Sequence, residues 1–133
     1  MPMTREELLD AIIDDGVEEC RHTYLRPDQR EKLEGCLEGF EACRGRTDGE
    51  LLELLAARTA QVHDMMAAGT TAGYWRARCA VLQIAWTLNV LSAAAYAHGR
   101  APLIPPTSRG MAKAAEILGV ERAVSEPLPD PTP

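Results

Sequence analysis

Apolar residues in the first third of the chain recur every three or four positions, the period of a helix with one buried face. Leu8, Leu9, Ile12, Ile13, Val17, Cys20 and Tyr24 make the first such run, behind Thr4-Arg5-Glu6-Glu7, where Thr4 and Glu7 have the spacing of a capping box. A first helix is expected over about residues 5 to 25. Asp15-Gly16 lies inside it, and a mid-helix glycine costs about 1 kcal/mol relative to alanine, so a kink or a split at Gly16 is one reading of the pattern. Arg26-Pro27-Asp28 ends this helix and opens a second, because the residue before proline is pushed out of the α region whereas proline suits a first helical turn. Leu33, Cys36, Leu37, Phe40 and Cys43 mark the apolar face of helix two, which runs to Gly45.

Thr47-Asp48-Gly49-Glu50 is a second capping box. It starts a third helix carrying Leu51, Leu52, Leu54, Leu55, Val62, Met65 and Met66 and closing near Gly69. Helix four, over about Ala72 to Ala97, has no charged residue in the 19 positions from Cys79 to Ala97. That length approaches a bilayer span, but Gln83, Thr87, Asn89 and Ser92 interrupt the apolar run, and a helix apolar all round is expected at the centre of a bundle. Trp75, Cys79, Leu82, Trp86, Asn89, Ala93 and Tyr96 form a seam at alternating spacings of four and three, so Leu82 and Trp86 are expected to be buried. After Gly99, the proline-rich segment Arg100 to Pro106 is expected to lay Leu103 and Ile104 across the core, before a short fifth helix capped by Thr107 or Ser108 and ended by Leu118-Gly119, with Val120 as the apolar residue after the cap. The pattern therefore gives an all-α, single-domain bundle of four to five helices with an apolar central helix, over residues 1–125, and an extended Pro-rich tail over 126–133.

Composition narrows the class. With 133 residues, one core is the expectation, and the scarcity of aromatic and β-branched residues disfavours sheets. No basic segment leads into an apolar run at the N-terminus, so a cytoplasmic location is expected. In that compartment Cys20, Cys36, Cys43 and Cys79 read as buried thiols that pack like small hydrophobes.

The net charge of −6 is unevenly placed: residues 1 to 41 hold twelve acidic and five basic side chains, the remainder eight and nine. Glu7, Asp10, Asp14 and Glu18 stack on one face of helix one, and Glu31, Glu34, Glu38 and Glu41 on one face of helix two. Rows of like charge repel, so a basic protein partner that neutralises them would relieve a standing cost. The same field repels nucleic acid and anionic membranes. The preferred expectation is a non-enzymatic protein that acts through protein contacts, as an acidic inhibitor or regulator of a basic, nucleic-acid-binding partner in the manner of small phage or mobile-element proteins. It calls for no cofactor, metal or catalytic residue, and a homodimer is compatible with it.

Two other readings come from short motifs. Glu7/Asp10 as E-x-x-D, and Glu31/Glu34 and Glu38/Glu41 as E-x-x-E, resemble the paired motifs of all-α nucleoside triphosphate pyrophosphohydrolases. The resemblance implies Mg²⁺ held by those six carboxylates, although the two motifs stand here in the opposite order. Lys113-Ala114-Ala115-Glu116-Ile117-Leu118-Gly119-Val120 resembles the first helix and turn of bacterial helix-turn-helix domains, implying a truncated regulator; Pro127, Pro129 and Pro131 occupy the region where a recognition helix would follow. His22, His63 and His98 fall on three helices whose topology keeps His98 away from the other two, and Glu19/His22 is an isolated E-x-x-H pair. Gly35, Gly39 and Ala42 form a small-residue strip suited to the close approach of another helix, in the fold or from a second subunit.

Overall fold

A computed structural model describes residues 3–119; the Pro-rich tail, Val120 and any recognition helix lie outside the described residues. Five α-helices account for most of them: α1 (Arg5–Thr23), α2 (Arg30–Cys43), α3 (Asp48–Ala68), α4 (Tyr74–Ala97) and α5 (Ser108–Leu118). A single 3₁₀ turn, Pro27–Gln29, precedes α2, and no strand occurs among the described residues. The all-α bundle expected from the pattern is the fold observed.

Both capping boxes form. Thr4 Oγ1 accepts from the Glu7 amide at 3.1 Å and Thr47 Oγ1 from the Glu50 amide at 3.2 Å, with Glu7 and Glu50 reaching back to the cap amides. Gly69 and Gly119 end α3 and α5 in the left-handed conformation that only glycine adopts without strain.

Helix α1 is continuous through Gly16, against the kink or split that the local propensity suggests. A Cβ at position 16 would overlap the Phe40 ring, so the missing side chain makes room for the largest buried residue of α2. Burial of that ring outweighs the propensity penalty of about 1 kcal/mol.

Helix α4 is the centre, and α1, α2, α3 and α5 all pack on it. It is long and apolar enough to cross a membrane by length and composition, with mean hydropathy 1.4, yet its C-terminal half lies inside the bundle. Its closest neighbour is α2. A Cβ on Gly35 or Gly39 would strike the backbone of Arg76 or Ala80, so the small-residue strip is consumed inside the fold by α4. Ile84, Leu88 and Val90 are fully buried, together with Leu9, Ile12, Ile13, Phe40 and Leu51 from the surrounding helices.

The segment before α5 crosses the core as expected, with Leu103 and Ile104 packed against it. Polar groups fix its path: Ser92 Oγ accepts from the Ile104 amide at 3.2 Å, and Asn89 receives the Thr107 amide at 3.0 Å while donating to the Thr107 hydroxyl at 2.8 Å. Asn89 and Ser92 are thus the partners that place α5, which accounts for polar residues inside an otherwise apolar helix.

Candidate functional site

The acidic rows are held within the molecule. Arg44, just past α2, reaches Asp10 at 3.1 Å, Asp14 at 2.9 Å and Glu41 at 2.9 Å, tying the α1 row to the end of the α2 row. Arg76 pairs with Glu38 at 2.8 Å and approaches Glu34 at 4.0 Å; Arg58 adds a 3.0 Å contact to Glu38, and Arg30 a 3.2 Å contact to Glu34. Burial works against ionisation of Glu38, but the bonds from Arg76 and Arg58 outweigh it and hold its carboxyl below the usual range. Arg44 does the same for Glu41. Glu7 serves the α1 cap, which lowers its pKa, and Glu18 lies 3.8 Å from His22. Of the eight carboxylates, only Glu31 has no ion-pair or capping partner among the described residues. The standing repulsion inferred from the sequence is therefore relieved mainly by arginines of the same chain, three of which lie outside the first 41 residues.

Most of the carboxylates that resemble the pyrophosphohydrolase motifs are engaged within the chain: Glu7 caps a helix, Asp10 and Glu41 share Arg44, and Glu38 faces Arg58 and Arg76. No group of three or more His, Cys, Asp or Glu among the described residues is placed to hold a metal ion. The three histidines are exposed and apart. His98 shares the pole of the bundle where Arg5 bonds Asp48 at 2.7 Å, whereas His22 lies at the far end of α1. Glu19 faces Lys113 at 3.9 Å, so the isolated E-x-x-H pair does not converge. Lys113 itself is drawn in toward Asp15 at 3.2 Å and Glu116 at 3.1 Å, which turns it into the bundle.

A different surface stands out on the N-terminal half of α4. Leu82, expected in the core, is 51% exposed, Trp75 is 42% exposed, and Trp86 is half-buried. This corrects the expected seam: its C-terminal members Asn89 and Ala93 are covered by α5 and the segment before it, but α5 crosses from Asn89 toward Asp15 and leaves positions 75 and 82 open. Trp75, Leu82 and Trp86, at i, i+7 and i+11, form one ridge.

Cations flank the ridge. Lys32 Nζ lies 4.6 Å from the centre of the Trp75 ring, with the Arg78 guanidinium at 5.2 Å, and the Arg109 guanidinium stands 6.0 Å from the Trp86 ring. None of the three has a carboxylate within ion-pair distance among the described residues. Beside Leu82 and Trp86 the surface dips into a groove of about 360 Å³, lined also by Gly16, Glu19, Cys20, Thr23, Tyr24, Phe40, Gln83 and Arg109.

Behind the groove wall, three thiols from three helices meet. Cys20 of α1, Cys36 of α2 and Cys79 of α4 belong to one buried cluster, and Gln83 Nε2 donates to the Cys36 sulfur at 3.2 Å. The Cys20 thiol beside it leads in holding Cys36 below the ordinary thiol range, whereas Cys36 together with burial pushes Cys20 and Cys79 up. Cys43 stands apart, its thiol raised by burial to about 11.

The sequence analysis placed each cysteine on an inner face without bringing three of them together. One signal was present: Cys20, Cys36 and Cys79 all fall near the pole where α1 ends and α2 and α4 begin. Comparisons with protein-family models, with curated proteins and with solved structures found no match for this chain.

Proposed function

We propose that the protein acts by contact with another protein, through the open face of α4, and that the partner offers an acidic segment bearing apolar or aromatic side chains. The observation that carries this reading is the ridge of Trp75, Leu82 and Trp86, flanked by Lys32, Arg78 and Arg109, on a chain whose other large apolar side chains are mostly packed. Tryptophan and arginine are the residue types that dominate binding energy at protein interfaces, and an exposed and a half-buried tryptophan beside a groove supply anchors for a partner's side chains. The charge of the flank selects an acidic segment locally, even though the molecule as a whole is at −6. That overall charge works against an anionic membrane as the occupant.

The contact role is the one expected from the sequence, with the partner's chemistry changed. A basic partner would have to compete with Arg44, Arg58 and Arg76 for the carboxylates that were expected to draw it.

Selection of peptides from a displayed random library against the native protein tests the reading. Enriched sequences are expected to combine Asp or Glu with Leu, Phe or Trp, and their binding is expected to weaken with salt. Enrichment of Lys- and Arg-rich peptides, with binding lost when Glu31, Glu34, Glu38 and Glu41 are replaced by Gln, would instead support the acidic rows as the contact face. Binding to phosphatidylserine vesicles in place of any peptide would overturn the protein-contact reading.

A further inference from the structure

We propose that the cavity at the pole shared by Arg5, His98 and Arg100 binds a small aliphatic monocarboxylate. The inference stands apart from the contact role, because the cavity adjoins the C-terminal half of α4 and shares no residue with the open ridge. Four segments build it: α1 and α3 begin here, α4 ends here, and the chain after Gly99 forms the remaining wall. That wall is fixed in place. The Gly99 and Arg100 amides donate back to the carbonyls of Tyr96 and Ala95, and Ser92 holds the Ile104 amide at 3.2 Å. The cavity is thus formed before a ligand arrives, and its volume of about 140 Å³ limits the occupant to a small molecule.

The lining has two chemistries. Leu8, Leu91 and Ala94 are buried and, with Leu103, make one side apolar. Two guanidinium groups line the same cavity. Arg5 Nε donates to Asp48 Oδ1 at 2.8 Å, and Nη2 lies 2.7 Å from that same oxygen without the alignment of a hydrogen bond, a buried nitrogen whose donors are unspent. Such a donor is costly to bury, so an acceptor brought by a ligand relieves it. Asp48 and, at 3.9 Å, Glu6 offset the charge of Arg5. Arg100 has no carboxylate within ion-pair distance among the described residues, so the uncompensated charge is a single one. The His98 ring, whose Nδ1 donates to the Ala94 carbonyl oxygen at 2.8 Å, forms part of the wall. One net positive charge favours a monoanion over a dianion, which Asp48 would repel. Guanidinium donors match a planar carboxylate, and the apolar side takes a short alkyl chain behind it.

Titration of the native full-length chain with acetate, butyrate and inorganic phosphate at constant ionic strength, followed by amide NMR, tests the inference. Butyrate is expected to give saturable shifts at the Ala95, Arg100 and Ala101 amides while those of Trp75 and Leu82 stay in place. It should bind at least tenfold tighter than acetate, since each buried methylene is worth about fourfold in affinity. Arg100→Gln, at an exposed position outside the helices, should weaken butyrate at least tenfold with the urea midpoint unchanged, whereas Arg30→Gln at the other pole should leave binding as it is. Equal affinities for acetate and butyrate, phosphate binding as tight as butyrate, or undiminished affinity in the folded Arg100→Gln variant would each overturn the proposal. Shifts centred on Leu82 and Trp86 instead, or no saturation by about 10 mM butyrate, overturn it equally.

Discussion

The two halves of α4 belong to one continuous helix but not to one environment. From Thr87 to Ala94, every residue except the half-buried Asn89 is buried, while in the N-terminal half Trp75 and Leu82 stand in solvent with Arg76 and Arg78 between them. The difference arises outside the helix. Asn89 and Ser92 pin the returning chain over the C-terminal half, α5 then turns away toward Asp15 and Glu19, and the N-terminal half packs most closely on α2, where Gly35 and Gly39 admit it. One helix thereby serves as core at one end and as a ridge at the other. A large apolar side chain left in solvent contributes little to folding, which frees it for binding.

The sharpest way to break this comparison is to truncate one leucine in each half. Leu88→Ala, at a fully buried site, is expected to cost about 2–5 kcal/mol, against less than about 1 kcal/mol for Leu82→Ala, which is half exposed. Urea denaturation of the two variants measures both. Equal losses would mean that the N-terminal half is as buried as the C-terminal half.

The covered side of the N-terminal half gives the next effect. Gly39→Ala places a methyl group 2.5 Å from the Ala80 carbonyl oxygen, and two helix backbones must part to admit it. A loss of about 1–3 kcal/mol is expected, read from the same denaturation curves. Gly49→Ala, whose Cβ meets nothing inside α3, should instead raise stability, by less than about 1 kcal/mol, and serves as the control.

Most of the architecture was legible because it depended on local chemistry. Two capping boxes, Pro27 and the terminal glycines Gly69 and Gly119 mark helix ends through groups adjacent in sequence. What could not be read was anything decided by a neighbour far along the chain. Gly16 looked like a break because its propensity is local, whereas the Phe40 ring that requires it is on another helix. The uncharged run of α4 concealed which face is covered, since a helix apolar all round has no pattern to orient it. The acidic rows were visible, but Arg58 and Arg76, which engage Glu38 from α3 and α4, carry no signal that they would return to α2. The thiol cluster was hidden for the same reason.

Removing the hub of the acidic surface has a smaller effect. Arg44→Ala leaves Asp10, Asp14 and Glu41 facing one another, and the expected loss is about 0.5–1 kcal/mol, shrinking in high salt because these groups are largely exposed. The smallest effect is in acid. Glu38 and Glu41 ionise more readily in the fold than in the unfolded chain, so their contribution is fully present above the unfolded carboxylate value of about 4.3. It is lost as the pH falls through their lower folded values. Thermal unfolding should be nearly independent of pH between about 5 and 7 on this account and should shift downward below about pH 4.

The role assigned to the open half of α4 is tested most directly by the affinity of a library-selected acidic peptide for the Trp75→Ala/Leu82→Ala double variant. The expected result is at least a tenfold loss of affinity, about 1.4 kcal/mol, with a urea midpoint close to that of the wild-type protein. Unchanged affinity in the folded variant would contradict it.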